Sequence, residues 1–170
     1  MVSTRENSSV AEVADWSWRV AELRDASILL QWRNDATSVR YSKSGALVDQ
    51  DNHAIWLAAA IQNRGTEVLI AESHGTPIAT CRFELCESTP KAFLVSINLA
   101  PNRRGQGMSG QLLISAVSHF FSRHNSDLLA DIHKNNAASE RIFMRAGFRW
   151  VRSDDDFNRF FLQAASGNTA

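Results

Sequence analysis

The chain's 170 residues fit one domain and suffice to bury a real core, and a 44% hydrophobic composition with five tryptophans excludes a disordered protein. Its 18 basic and 18 acidic residues cancel, so no whole-molecule field draws it to nucleic acid or to a membrane, and any anion must be bound by local geometry. No apolar run approaches about 18 residues and no basic-then-apolar leader opens the chain, which points to a soluble, cytoplasmic protein.

Residues 1–14 are polar and unpatterned, as are residues 166–170, and both stretches read as flexible tails around one domain spanning 15–165. Trp18 to Leu23 alternates in strand fashion, and Asp25 can cap a helix that runs through Trp32. The segment Asn34 to Val48 is irregular, with a turn of helix around Thr37. Asp49 to Asn63 carries Ile55, Leu57, Ala58 and Ile61 at helical spacing. Glu67–Glu72 and Ile78–Leu85 read as strands joined by a His74-Gly75 hairpin. Cys81 and Cys86 fall on opposite faces of the second strand, so they neither bridge nor make a zinc site, and no metal is expected. Lys91–Leu99 is a strand with Phe93, Val95, Ile97 and Leu99 on one face and Leu94, Ser96 and Asn98 on the other. A helix over Gly107–Arg123 follows, then a strand at Leu128–His133 and a helix at Ala137–Ala146 with Gly147 at its end. Strands at Phe148–Arg152 and Phe157–Gln163 close the chain. The sum is one α+β unit: a mixed, mostly antiparallel central sheet of about seven strands flanked by about four helices.

Gly105, Gly107 and Gly110 spell the dinucleotide fingerprint G-x-G-x-x-G, and Asp131 lies 21 residues beyond Gly110, near the spacing of a ribose-binding acid. Against this, Ala100-Pro101-Asn102-Arg103-Arg104 separates the strand from the first glycine, and no further βα repeats follow. The dinucleotide reading is set aside. A glycine-rich turn leading into a helix can still grip a pyrophosphate, because exposed N–H groups and the helix dipole favour an anion.

Parsed as Arg104-x-x-Gly107-x-Ser109, the loop RRGQGMSG resembles the acetyl-CoA loop of the GCN5-related N-acetyltransferase (GNAT) family, Gln/Arg-x-x-Gly-x-Gly/Ala. Ser109 departs from that pattern but is small. The later segment NNAASERIFMRAGF also resembles the family's, with Asn136 in the place of an asparagine that opens a helix ending in Gly-Phe. The resemblance covers about Glu67 to Gln163. It implies an N-acetyltransferase domain over 15–165 with acetyl-CoA as cosubstrate. The diphosphate would lie on Arg104, Gly105, Gln106, Gly107, Met108, Ser109 and Gly110, with Arg103 or Arg104 as a charge-assisted donor. Asn136 would cap its helix, bond the pantetheine arm, or both.

The resemblance further implies that the Lys91–Leu99 strand splays from Leu128–His133. The arm would pair with backbone near Asn98 and Leu99, where an N–H polarises the thioester carbonyl. Members often carry a tyrosine seven residues beyond the asparagine as general acid; Phe143 holds that place here, a coenzyme-binding position that cannot donate. Many also place a carboxylate on the splayed strand, and this one has none. His53, on the early helix, is then the candidate base, with surface or capping histidine as the plainer alternative and Glu84 or Glu87 as other acids.

WRNDATSVRYS followed by His53-Ala54-Ile55-Trp56 resembles the opening of members that acetylate nucleotide-linked amino sugars, as in pseudaminic acid synthesis. It also resembles those that acetylate protein N-termini or ribosomal proteins. Trp32 and Tyr41 would stack on the acceptor while Arg33, Arg40 or Arg82 bind its phosphate; equally, Trp32 is core and the arginines cover its edge. Without a strongly acidic patch, polyamines and aminoglycosides fit less well. The expected partner is a small primary amine, with the protein a monomer or homodimer. The alternatives are a protein N-terminal acetyltransferase and a non-catalytic acyl-CoA-binding module.

Overall fold

The computed structural model describes residues 15–89 and 91–164, so both tails lie outside the described residues. In chain order the elements are β1 (Ser17–Val20), α1 (Ala26–Arg33), α2 (Ala36–Arg40), α3 (Gln50–Gln62), β2 (Thr66–Ser73), β3 (Thr76–Leu85), β4 (Ala92–Leu99), α4 (Ser109–Phe121), β5 (Asp127–His133), α5 (Ala137–Arg145), β6 (Arg149–Ser153) and β7 (Phe157–Leu162). Short 3-10 turns occupy Leu23–Asp25 and Pro101–Arg103. The strands form one seven-stranded sheet in the order β1-β2-β3-β4-β5-β7-β6. Every neighbouring pair is antiparallel except β4 and β5, which run parallel. No helix among the described residues is long and apolar enough to cross a membrane.

Local chemistry sets most boundaries. His74 and Gly75 both take positive φ, 48° and 73°, the backbone of a two-residue hairpin whose twist suits the strands it joins. The Asp49 carboxylate caps α3, accepting the N–H groups of Asp51 at 2.9 Å and Asn52 at 3.1 Å. The expected first strand stops early, at Val20. Buried Asp25 is the reason: it accepts both outer nitrogens of Arg19 at 2.7 and 2.8 Å and the Glu22 N–H at 2.8 Å, which closes a turn before α1. Burial opposes ionisation of this carboxyl, but the Arg19 hydrogen bonds outweigh it and hold its pKa below the usual carboxylate value. The turn expected near Thr37 is a short helix, because Asp35 caps it through the Thr37 N–H at 3.0 Å. With it the described residues hold five α-helices, in keeping with the expected count of about four. α4 begins at Ser109 and ends at Phe121, shorter at both ends than the predicted Gly107–Arg123. Cys86 lies just beyond β3, and both cysteines are free.

Helices cover both faces. On one, α4 and α5 set Leu113, Ala116, Val117, Phe120 and Phe143 against Phe83, Phe93, Val95, Leu128, Ala130 and Phe160. On the other, Leu29 and Trp32 of α1 and Leu57 and Ala60 of α3 pack on Val68 and Ile70. β4 alternates as its sequence predicts: Phe93 and Val95 join the α4 side, while Ser96 on the opposite side is exposed.

Phe120 has no exposed surface; its ring stacks on Phe83 at 4.4 Å between centroids and meets Phe93 edge-on at 5.1 Å. Truncation to Ala should leave a cavity at the root of the sheet's parallel pair and cost roughly 3–5 kcal/mol. Equilibrium urea unfolding of Phe120→Ala checks this; a loss under about 1 kcal/mol would show that the neighbouring rings close the gap.

Candidate active site

The parallel pair is incomplete. Ala92 pairs with Asp127, Phe93 with Leu128 and Leu94 with Leu129, and there the ladder ends. Beyond that point each strand follows its other neighbour. β4 stays on β3 to the Ala79–Leu99 pair and past it, through the Ala100 N–H to the Ile78 carbonyl at 2.9 Å. β5 stays on β7 to the His133–Phe157 pair and past it, through the Lys134 N–H to the Asp156 carbonyl at 2.9 Å. A wedge opens between β4 and β5.

The phase of hydrogen bonding decides which main-chain groups line the wedge. Residues of an antiparallel strand turn their N–H and C=O alternately toward one neighbour and the other. The bond from Ala100 to Ile78, and that from the Cys86 N–H to the Ala92 carbonyl at 2.8 Å, direct Ala92, Leu94, Ser96, Asn98 and Ala100 toward β3. Val95, Ile97 and Leu99 therefore turn their main-chain groups toward β5; the Val95 N–H closes the Leu94–Leu129 pair, and Ile97 and Leu99 face the open wedge. This corrects the expectation for Asn98, whose backbone is engaged by β3; Ile97 and Leu99 are the residues placed to pair with an extended ligand. The Leu99 carbonyl already accepts Arg104 Nε at 3.2 Å, so its N–H is the group left over.

At the end of β4 the chain turns through Gly105 and Gly107 at φ +74° and +78°. A Cβ at either would meet nothing within 4 Å, so glycine is required here by backbone conformation, not by crowding. Gly110 differs: it sits in α4 against Ile142 of α5. Met108 gives α4 no side-chain cap, and the N–H groups from Gly105 through Gln111, including those of Gln106, Met108 and Ser109, make no hydrogen bond among the described residues. A run of bare donors at a helix start favours a negative charge.

The two arginines divide. Arg104 is not a spare donor: it forms an ion pair with Asp35, its Nη2 donates to Ser38 Oγ at 3.1 Å and to Asn98 Oδ1 at 3.2 Å, and its Nε holds the Leu99 carbonyl. The pairing with Arg104 also keeps Asp35 more acidic than usual. Arg104 thus clamps α2 to the end of β4, which corrects its assignment to the diphosphate. Arg103, next to it, makes no side-chain hydrogen bond or ion pair among the described residues.

Across the wedge, Asn136 caps α5 by accepting the Ser139 N–H at 3.1 Å, which leaves its amide N–H₂ uncommitted. Phe143 is 2% exposed and packs edge-on against Phe148 at 5.0 Å; it is a core residue, because it lies on the face of α5 turned to the sheet. Asp131, the acid once matched to a ribose, is gripped by Arg159 at 2.6 and 2.8 Å and by Lys43 at 2.6 Å. Burial raises its pKa, and those hydrogen bonds outweigh it to leave the group more acidic than usual.

The segment from α2 toward α3 bridges the wedge. Ser38 bonds Asn98 on β4 at 3.3 Å; Tyr41 lies 5.6 Å from the His133 ring of β5, and Lys43 meets Asp131 on the same strand. Trp32 is 3% exposed within the α1–α3 core, so it cannot stack on an acceptor. Only its carbonyl reaches the site, accepting Asn98 Nδ2 at 3.1 Å. His53 is buried, with its imidazole 5.3 Å from Trp56; the Arg82 guanidinium lies 5.2 Å above the same indole. Burial first, then the charges of Arg33 and Arg82, push the His53 pKa below 6.5. Glu84 is tied to Arg82 Nε at 3.1 Å, and Glu87 is exposed beyond β3. Among the described residues no cluster of His, Cys, Asp and Glu can hold a metal.

Asp35, Ser38, Lys43, Trp56 and Ile97 were missed by reading the sequence. Asp35 alone left a trace there, as a capping residue two positions before Thr37; the others depend on contacts between distant segments.

Residues 18–149 match the family model of the acetyltransferase (GNAT) domain, while comparison with curated protein sequences gives no match. Solved structures share the fold at low identity. A spermidine N-acetyltransferase from Vibrio cholerae, in complex with CoA and spermine, superimposes with a TM-score of 0.77 at 14% identity, over 88% of this chain and 96% of that one. RimL, a ribosomal L7/L12 α-N-protein acetyltransferase in complex with coenzyme A, gives 0.76 at 16%, over 89% and 96%. The aminoglycoside acetyltransferase AAC(6′)-Ib in complex with coenzyme A gives 0.74 at 19%, over 88% and 94%.

The Arg104 clamp can be tested by a double-mutant cycle. Arg104→Ala and Asp35→Ala should each destabilise, with a coupling energy of about 1 kcal/mol in thermal or urea unfolding. Strict additivity would mean that the pair contributes nothing to docking α2.

Proposed function

The chain belongs to the GNAT acetyltransferase family, and from that premise we propose that it transfers acetyl from acetyl-CoA to a small primary amine by direct attack in a ternary complex. The observation that carries this reading is the wedge, lined by the main-chain groups of Ile97 and the N–H of Leu99, which no strand pairs, and ending at the bare N–H groups of residues 105–111. Those groups bind the diphosphate, with Arg103 as the charged donor. The pantetheine amides add to β4 as an extra strand, which satisfies Ile97 and Leu99. Asn136, with its amide free, serves the arm from the β5 side. The three similar solved structures carry coenzyme A in their own complexes, which supports the choice of cosubstrate.

The neutral amine attacks the thioester carbon, and the carbonyl electrons move to oxygen, where a main-chain N–H of β4 stabilises the oxyanion. Collapse breaks the C–S bond, and coenzyme A leaves as thiolate. Phe143 offers it no proton, so the thiolate takes one from solvent. We assign His53 to receive the amine's proton through water. Its depressed pKa suits this role, because the imidazole is already neutral at pH 7. For the acceptor, Tyr41, Trp56, Arg33 and Arg82 favour an amine joined to a flat ring and a phosphate. A nucleotide-linked amino sugar is the first candidate.

Calorimetry with coenzyme A tests the binding half. Gly107→Val, forced out of positive φ, should weaken binding by roughly ten-fold or more, about 1.4 kcal/mol, and Arg103→Ala by a similar factor. Unchanged affinity in both would remove this loop from the site. For the chemical half, His53→Gln should lower kcat about a hundred-fold while coenzyme A affinity holds. In the wild type, kcat should stay level above neutral pH and fall as acid protonates His53 below 6.5. A profile identical in wild type and His53→Gln would take His53 out of the reaction.

A further inference from the structure

We propose that Arg33, Arg82 and His53 form an oxyanion-binding site on the α1–α3 face of the sheet, which holds a phosphoryl group carried by the acceptor amine. This rests on the acetyl-transfer reading only for the identity of what carries the anion; the site itself stands on three observations.

The first is unmet hydrogen-bonding capacity. Among the described residues, Arg33 Nη1 and His53 Nδ1 are the buried side-chain nitrogens and oxygens without a partner. Arg33 is otherwise fixed: its Nη2 donates to Ser42 Oγ at 3.3 Å, Ser44 Oγ at 3.0 Å and the Ala46 carbonyl at 3.3 Å. The guanidinium is aimed by these contacts, and the nitrogen they do not use is the buried one. A buried polar atom without a partner costs about 1–3 kcal/mol, more when charged, so each of the two calls for a missing partner.

The second is a local excess of positive charge. Arg82 has one carboxylate, Glu84, on its Nε, and Arg33 has none among the described residues. The three groups lie near enough for the arginine charges to depress the His53 pKa, after burial itself, and for Arg82 to add to burial in lowering that of Arg33. An anion between them would relieve both the repulsion and the desolvation.

The third is position. Arg82 sits opposite Ser96 of β4, next to Ile97, whose main chain faces the wedge, and on the sheet face away from α4. The diphosphate loop lies past the far end of β4, so this is a second anion site on the acceptor side. Trp56 supplies a flat wall, with Arg82 on its ring and His53 beside it. Such a site rejects polycationic amines by charge alone and selects amines that carry phosphate.

Titrating inorganic phosphate, and separately pyrophosphate, into the protein saturated with coenzyme A tests this. The readout is the His53 imidazole nitrogen resonances, assigned with His53→Gln. The expected result is a saturable shift at Nδ1, weakened about ten-fold or more in Arg82→Gln and retained with pyrophosphate as with phosphate. No shift in the wild type overturns the proposal even should the variant fail to fold, as does a shift that Arg82→Gln leaves unaltered. Coenzyme A affinity is measured on the same samples. Its absence would sink the acetyl-transfer reading without touching the His53 response, which can be followed on the free protein as well.

Discussion

The molecule depends on a competition that β4 and β5 lose to their outer neighbours. Backbone polar groups must be paired, and beyond Leu94 the pairing of β4 is completed on one side only, by β3. The inner row from the Val95 carbonyl through Ile97 to the Leu99 N–H is left facing a gap. Such a row is unfavourable in isolation and serviceable to a ligand that is itself an amide chain. The fold therefore carries its recognition element as an unfinished sheet, and everything around the gap either keeps it open or dresses its rims.

The rims are built by opposite means. At the end of β4, two glycines at positive φ lie in a loop of bare N–H groups. On the α1–α3 face, side chains dominate: Arg104 gathers Asp35, Ser38, Asn98 and the Leu99 carbonyl into one polar knot. Lys43 and Arg159 share the Asp131 carboxylate on the far bank. One rim is main chain awaiting charge, and the other is charge already satisfied, with Arg33 and His53 as the exceptions.

What the sequence made legible follows from the range of the interactions. Caps at Asp49 and Asn136, the His74-Gly75 turn and the alternation in β4 are decided by neighbours, and each is visible in the chain. The glycines of the loop were readable for the same reason. The roles of Arg103 and Arg104 were not separable, because the partner that commits Arg104, Asp35, is 69 positions away. Trp32 and Phe143 looked available as functional aromatics, but which way a helix turns its rings depends on where it docks, and both point into the core. The choice of Ile97 over Asn98 needed the hydrogen-bond phase of β4, which only the register with β3 fixes.

The partial ladder has a mechanical consequence. The sheet consists of two leaves, β1 to β4 and β5 to β7, which share three ladder pairs at one end. At that end Phe120 anchors the packing beneath both leaves, touching Phe83 and Phe93 of the first and lying in one cluster with Leu128 and Phe160 of the second. Relative sliding is blocked there, so the softest motion is a pivot about the spine. Its amplitude grows with distance from the root, like a book opening, and is greatest at the Leu99 end of β4.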